Sequence, residues 1–575
     1  MAYKPESKRK RLEILRGQLD NERQSIIPVW RDINDFILPA SGRFFLSDTN
    51  KYSRRNLSII NSSGQMAANT CHAGMMSGIT SPARPWLRVA SPDPDLNEFG
   101  RVKDWNAIVS ERMMSVFFKS NLYQTLPYRE LAGFGTAPMS VEFNQDKVIH
   151  CSSYPPGSYY LAKDEFGMVN VFYREWEMTV RNIVHRFGRK DANGNYDWSN
   201  FSTMVKQCYE RGQYETYVTI AHCISPNEDY MYGSPFSRHK KFASCYYERG
   251  VSSKAGNRNY MQGDDDDKYL EESGYDYFPV CVPRWYTTGE DVYATDCPGM
   301  TAIGDVKQLQ HSEQKYGKGL DKMVDPTMVM PTSMANQKTT MLPGGIMYAD
   351  IREGSQKIMP AHEVNLRIDH LDAKMSKIEQ RISRAFYEDL FLMLAQSDRR
   401  EITAREIDER HEEKLLALGP VLERLNQDLL NPLVDITFNN MMRLGMLPPP
   451  PEEIQGQQLK IEYISIMAQA QKMIGVNVDE RFLNNILTIL PVKPDAADKV
   501  DFDQYIDVHG ERLSVAPGII RSDEAVADLR AQRAQAEAQA AAMQNAPQMA
   551  RTAKDLSETD LEKESALKAM MNGQQ

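Results

Sequence analysis

Apolar residues recur three and four apart from the start of the chain. Leu12, Leu15, Leu19, Ile26, Trp30, Ile33 and Phe36, with charges between them, predict one amphipathic helix over about 5–36, ended by Pro39 and Gly42. Residues 61–80, NSSGQMAANTCHAGMMSGIT, carry Gly, Ala and Ser at a density that suits a helix packed closely on its neighbours, and 102–118 repeat the amphipathic spacing. Beyond Pro138 the period changes to two. Val141 and Phe143 alternate with polar residues, as do parts of 158–178, where DEFG supplies the turn of a hairpin. Thr179 and Gly188 offer the two caps of a short helix, 180–187. The runs 214–224, 241–248 and 277–288 read as further strands, with the acidic loop GDDDDK at 263–268 between the last two. Residues 100–295 are thus expected to form a mixed α+β domain.

The second half reads as helix. One long helix spans 301–324, with Ile303, Val306, Leu309, Tyr316, Leu320 and Met323 on one side. It stops at Asp325-Pro326, because the residue before proline disfavours the α region. Residues 326–360, rich in Pro, Gly, Met and Thr, read as short strands and turns. A second long helix is expected over 361–394, roughly 50 Å at 1.5 Å per residue. In it Val364, Ile368, Leu371, Met375, Ile378, Ile382 and Ala385 are spaced 4-3-4-3-4-3, a heptad seam over three repeats. That seam suits a dimeric coiled coil or an intramolecular helix pair. The reading favoured here is packing against both the preceding helix and the same helix of a neighbouring subunit. The polar stretch 396–403 breaks the helix. A third runs over 404–444, with irregularities at Gly419-Pro420 and Asn431-Pro432, and prolines 448–451 stop it. Two or three shorter helices are expected in 459–512, and ten alanines between Ala525 and Ala546 predict a solvated or self-associating helix before a polar tail. The fold class is α+β, mainly helical.

Composition narrows the function. The chain has 575 residues, 41% hydrophobic and 25% charged, enough for a real core and, at about 150 residues per domain, roughly four structural units. With 78 acidic against 68 basic residues the net charge is −10, which argues against wrapping nucleic acid through an overall basic surface. Seven cysteines, none in a C-x-x-C pair, fit neither a disulfide framework nor a zinc cluster and point to a reduced, cytosolic history. The charged stretch 12–30 lacks the apolar region of a signal peptide, and no uncharged apolar run is long enough to cross a bilayer.

Catalytic motifs fail one by one. There is no G-x-x-x-x-G-K-[ST] loop, and GFGT at 133–136 has Pro138 where a third fingerprint glycine belongs. GMMSG at 74–78 misplaces its serine for a nucleophile elbow. His411-Glu412 opens like a zincin helix, but position 415 is Leu. Asp264–Asp267 lack the spacing of a calcium loop and read as a solvated loop. His222 and Cys223 read as a packed core pair, since no third orienting group is visible. The basic cluster Lys8, Arg9, Lys10 and Arg11 reads as a solvated helix start, with phosphate contact as the alternative. No catalytic residue, metal ligand or cofactor is expected.

Several fragments, in order, resemble the head-to-tail connector, or portal, proteins of short-tailed bacteriophages: ILPASGRF, NSSGQMAANTCHAGMMSGITSPARPWLRV, NVFYREWEMTVRNIVHRFG, CPGMTAIGDVKQL, DPTMVMP, LPGGIMY and EITAREIDERHEEKLLALGPVLERLNQDLLNPL. They span about residues 10–450. The resemblance implies a dodecameric ring at one capsid vertex, through which double-stranded DNA is packaged and ejected. The implied partners are the terminase, a tail adaptor protein, and the major capsid and scaffolding proteins, with no membrane. The implied location is the virion, and the host cytoplasm during assembly.

The family's parts map onto this chain as a wing (1–300), a stem helix (301–325), a clip (326–360), a second stem helix (361–395), a tunnel loop (396–403), a wing helix (404–450), a crown (451–520) and a C-terminal barrel helix with its tail (521–575). On that mapping Gln396, Ser397, Asp398, Arg399 and Arg400 of the loop, with Lys374 and Lys377 of the stem, line the DNA channel. The alternative for Arg399, Arg400, Lys374 and Lys377 is a solvated surface or an ion pair with Asp398, Asp372 or Glu379. Val364, Ile368, Leu371, Met375, Ile378 and Ile382 pack subunits. Met330, Pro331, Leu342, Pro343, Gly344 and Gly345 form the clip surface that docks the adaptor. The competing readings are a coiled-coil scaffold or other virion structural protein, and a packaging nuclease or NTPase.

Overall fold

The computed structural model describes residues 8–44, 59–93, 96, 99–191, 194–251, 268–324, 328–329, 359–360, 368–396, 418–456, 460–464, 483, 485–486, 488, 500–506, 521 and 526–540. Two compact units are distinguished. The first comprises Met1–Leu87, Glu111–Pro448 and Tyr463–Ile474, and the second comprises Arg88–Ser110, Pro449–Glu462 and Gly475–Gln575.

The first unit begins with two helices, α1 (Lys8–Arg23) and α2 (Ile27–Phe36), where one was expected. Pro28 stands in the first turn of α2 and has no N–H to donate to a preceding turn, so the chain restarts there. The small-residue segment forms α3 (Ser63–Ile79) and the next amphipathic stretch forms the helix Gly100–Lys119, both as the spacing predicts. The strand β1 (Leu87–Ala90) lies between them.

Period-two residues then build two antiparallel sheets. β2 (Met139–Asn144) pairs with β3 (Val148–Ser153) and with β9 (Val280–Cys281). β4 (Tyr159–Lys163), β5 (Val169–Thr179), β6 (Tyr217–Pro226), β7 (Phe242–Val251) and β8 (Glu271–Tyr275) form a five-stranded meander in sequence order. Thr179 caps the helix Val180–Phe187, accepting from Asn182 N at 3.4 Å, and Gly188 N–H closes its last turn on Val184 O. One strand was not anticipated and one expectation needs correction. The strand β8, EESGY, has no alternating pattern; pairing with β7 imposes it. Of the run 277–288 only Val280 and Cys281 are strand, because Pro279 and Pro283 flank them without a donor for the ladder.

The meander is covered on both faces. On one, Leu12 and Leu19 of α1 pack on Tyr173, Ala221, Cys223, Cys245 and Tyr247. On the other, Val180, Ile183, Val184 and Phe187 pack with Phe201, Val205, Ile220 and Tyr246. Adjacent residues of a strand therefore belong to different cores. Arg9, Arg16 and Arg23 lie seven apart on α1 and reach the sheet beside the leucines. Arg9 donates to Glu248 O, Arg16 to Glu175 at 3.0 Å, and Arg23 to Gly157 O at 2.5 Å while stacking 3.8 Å over Tyr160. Buried Arg249 also binds Glu175, and its Nε reaches Glu13 at 3.0 Å. The basic helix start is thus docked in part: Arg9 is buried and Lys8 pairs with Glu272 at 2.5 Å, while Lys10 and Arg11 are exposed as expected, Arg11 beside Glu228 at 2.5 Å on the surface. Trp30 of α2 is fully buried, donates to Phe134 O at 2.9 Å and meets Phe134, Tyr159 and Tyr293 ring to ring.

In the second unit, Arg88 binds Glu462 at 2.6 Å across the pairing of β1 with the strand Lys460–Tyr463. The strand at 460–463 departs from the helices expected in 459–512, since Ile461 and Tyr463 alternate with charged residues. The alanine-rich stretch is helical over 526–540 and almost wholly exposed, as its composition predicts. Among the described residues no helix is long and apolar enough to cross a membrane.

Trp30→Ala should lower the stability of the first unit by about 3–5 kcal/mol, because a large buried ring and its hydrogen bond are lost together. Urea unfolding checks this, and a loss below about 1 kcal/mol would show that the ring is not a core element.

Candidate functional site

Two long helices and the small-residue helix α3 meet in the first unit. The first long helix, Pro298–Val324, begins three residues before the expected start. The second is described over Ile368–Ala385; positions 361–367 lie outside the described residues. The expected rod to Leu394 is not continuous. It breaks at Phe386-Tyr387, and a separate helix, Glu388–Gln396, follows. Tyr387 stands in the left-handed region at φ 55°, with its ring 6.3 Å from Trp285. Neither Gly nor Pro marks this break. It turns Phe391 onto α3, where a Cβ at Gly74 would come within 2.1 Å of the Phe391 ring. The small residues of α3 thus permit the close approach their density suggested.

A polar cluster fastens the three helices together. Gln310, buried on the first long helix, accepts from Ile60 N at 2.7 Å and Asn61 N at 2.9 Å, and donates to Asn61 O at 2.7 Å. Asn61 Oδ1 accepts from Ser63 N, the first N–H of α3, at 2.9 Å, an Asx turn leading into the helix. Its Nδ2 donates at 2.9 Å both to Glu313 of the first long helix and to Glu379 of the second. One amide therefore holds a carboxylate from each helix beside the positive end of α3. Arg381 of the second helix adds an ion pair with Asp305 of the first at 2.7 Å.

The heptad seam divides along its length. Met375, Ile378 and Ile382 are buried within this chain, so the intramolecular helix pair accounts for them; they are not free to reach a neighbour. Leu371 is half-buried, Ile368 begins the described helix, and Val364 lies outside the described residues. On the first helix Val306 and Leu309 are fully buried, but Leu320 and Met323 are each 40% exposed and Val324 is 78% exposed. The apolar stripe thus continues beyond the contact that covers it. Just past this end, Met328 pairs with Pro360 and Val329 with Met359, antiparallel, so the two ends of 326–360 are drawn together.

Lys374 and Lys377 are exposed and have no ion pair among the described residues; Glu379 is engaged by Asn61 and Ser63 instead. Gln396 ends its helix, while Ser397, Asp398, Arg399 and Arg400 lie outside the described residues. So do Met330, Pro331, Leu342, Pro343, Gly344 and Gly345, as well as Asp264–Asp267 and His411-Glu412. The expected irregularity at Asn431-Pro432 takes the form of a π-helical turn, Asn426–Leu430, immediately before the helix Asn431–Arg443. Its buried Asp428 accepts from Arg284 at 3.0 and 3.2 Å, a buried two-point pair that the sequence did not announce.

His222 and Cys223 face opposite sides of β6 and cannot act together. His222 stacks on Tyr246 at 3.8 Å and its Nε2 meets Ser244 at 3.0 Å. Cys223 lies in the core under α1, and burial pushes its thiol up to about 12. All seven cysteines are free and buried. Among the described residues no group of three His, Cys, Asp or Glu could hold a metal.

Asn61→Asp should put a third carboxylate against Glu313 and Glu379 and lower stability at pH 7 by about 1–3 kcal/mol. Part of that loss should return on acidification; a neutral effect in urea unfolding would remove Asn61 from its role. Burial, and then Arg174 and Arg186, hold the pKa of His222 well below 6.5. Below that pH the unfolded chain binds the extra proton, so stability is complete above about 6.5 and falls as pH drops. His222→Gln should lack this part of the slope between pH 7.5 and 5.5, and an identical slope would contradict the assignment.

Comparison with known proteins bears on the whole chain. A family model described as Bacteriophage head to tail connecting protein matches residues 9–520. The portal protein of Salmonella phage epsilon15 is 44% identical over 569 residues, 99% of this chain and 98% of its own length. A probable portal protein of Bordetella phage BPP-1 is 40% identical over 555 residues, 96% of each chain. These matches extend well past residue 450, where the recognisable fragments end. The chain belongs to the bacteriophage head-to-tail connecting, or portal, protein family, and is a structural connector of the virion rather than an enzyme.

Proposed function

We propose that copies of this chain close into a dodecameric ring at one capsid vertex, through which double-stranded DNA is packaged and later ejected. The helices at 298–324 and 368–385 act as the stem, 326–360 as the clip, and 396–403 as the loop at the channel's narrowest point. The clip docks the terminase and then the tail adaptor, while the wing and crown meet capsid and scaffolding proteins during assembly in the host cytoplasm. The observation that carries this reading is the helix pair, fastened to the body at the Asn61 cluster. Its apolar stripe emerges uncovered at Leu320, Met323 and Val324 beside the antiparallel base of the clip segment. A ring needs a heterologous surface that closes on itself, and an uncovered stripe at the end of a stiff helix pair supplies one.

Electrostatics suits passage rather than grip. At −10 per chain, twelve copies carry a formal charge of roughly −120, which repels a polyanion. Tight phosphate contacts would slow DNA, since affinity rises steeply with each phosphate neutralised. Lys374, Lys377, Arg399 and Arg400 are the groups proposed to centre the duplex, with Gln396, Ser397 and Asp398 beside them.

Light scattering on the purified chain should give a mass near that of twelve copies. Leu320→Asp with Met323→Asp should return it to monomer with an unchanged circular dichroism spectrum, whereas Ile378→Asp with Ile382→Asp should unfold the subunit. Fibres, dimers, or intact rings from the first variant would contradict the reading. Arg399→Ala with Arg400→Ala should leave rings intact and alter DNA content per head; unchanged content would remove both residues from the channel.

A further inference from the structure

We infer that Arg174 and Arg186 form a binding site for an oxyanion, a carboxylate or a phosphate, on the face of the five-stranded sheet opposite α1.

Strand pairing builds the site. Residues two apart on a strand share a face, so Arg174 and Trp176 of β5 project together. Arg174 stands opposite His222 of β6, and His222 opposite Tyr246 of β7. The Arg174 guanidinium lies 4.1 Å from the centre of the Trp176 ring and 4.7 Å from that of Tyr154. The helix Val180–Phe187 brings Arg186 to the same place, 5.2 Å from the centre of the Tyr246 ring, which in turn meets Trp176 edge-on at 6.3 Å. Two guanidiniums are thus held against one row of aromatic rings, with the His222 ring stacked in the middle of it at 3.8 Å from Tyr246.

These cations lack acceptors. A guanidinium carries five N–H donors. Among the described residues the two groups make one hydrogen bond, Arg186 Nη2 to the Tyr246 hydroxyl at 3.4 Å, and no ion pair. Arg174 is half-buried and its Nε is enclosed without a partner, as is His222 Nδ1. The arginines on the other face of the same sheet are answered differently, since Arg16 and Arg249 share Glu175. A half-buried charge without a counter-ion is costly, and a planar fork of donors matches the paired oxygens of a carboxylate or phosphate. The rings hold both guanidiniums in place, so little ordering remains to be done on binding.

Two carboxylates face the row. Glu142 of β2 acts on Tyr154 and Tyr246, and Glu271 of β8 stands opposite Tyr246, but neither forms an ion pair with either arginine. Burial, and then the charges of Arg174 and Arg186, hold His222 neutral, so the field at the centre of the row is set by the arginines. Glu142 opposes an incoming anion without satisfying the donors.

Inorganic phosphate and acetate, each titrated into the full-length chain at constant ionic strength balanced with chloride, test the site by tryptophan fluorescence and calorimetry. Trp176 lies against Arg174, so one or both oxyanions should give a saturable change in emission that chloride does not. Saturation by phosphate alone would identify a phosphate site, and by acetate alone a carboxylate site. Arg186→Gln alters an exposed side chain and should weaken binding about tenfold or more, with the melting temperature in chloride unchanged. Arg174→Gln should do the same, and Glu142→Gln should tighten binding, because it removes a repelling charge. No saturation by either oxyanion, or an Arg186→Gln chain that binds as the wild type does, would overturn the site. None of its residues belongs to the helices at 298–324 and 368–385, so that failure would leave the ring reading standing.

Discussion

The structure turns on a single amide. Asn61 accepts from the first N–H of the small-residue helix α3 and holds one carboxylate from each long helix on its Nδ2, while Gln310 satisfies Ile60 N and the backbone of Asn61 itself. Two acidic groups drawn so near would repel each other. The donor between them and the positive helix end beside them make the arrangement favourable. Without that fastening the two helices would share an apolar seam and the partly exposed Arg381–Asp305 pair, which restrain sliding and rotation far less. With it they are registered against each other and against the body of the subunit. For the DNA channel proposed above, fixed register is the property that matters.

The body is made rigid by a related device. Arginines and leucines alternate along one face of α1, so the helix is held to the sheet by apolar contact and by hydrogen bonds to backbone oxygens and Glu175. Buried charge of this kind is costly unless every group is matched, and here Glu175 is shared between Arg16 and Arg249. The family's relatives are portal proteins, and the resemblance spans nearly the full length.

Much of the fold was legible in the sequence where one physical rule dominates. The Thr179 cap, the DEFG hairpin, the small-residue helix and the proline that ends the first long helix each follow from local chemistry, and each was read within a few residues. What escaped depended on distant partners. Nothing near Tyr387 signals a helix break; the need to bring Phe391 onto Gly74 imposes it. The heptad seam was read correctly as a seam, but its spacing could not say that Met375, Ile378 and Ile382 are covered by the same chain. Arg9 was read as part of a solvated start, and Arg16 and Arg23 were not singled out, because a docked cation and a free one look alike without the acceptor. Asn61, Gln310 and the Arg284–Asp428 pair left no local signal at all.

The central claim is that the helices at 298–324 and 368–385 stand beside an axial channel, held in register at Asn61. A cryo-EM reconstruction of the assembled connector, resolved to side chains, tests this most directly. It should show both helices flanking the lumen, the Asn61 amide between Glu313 and Glu379 in every subunit, and 326–360 at the end of the assembly away from the helical body. Helices on the outer rim, remote from the lumen, would contradict the account.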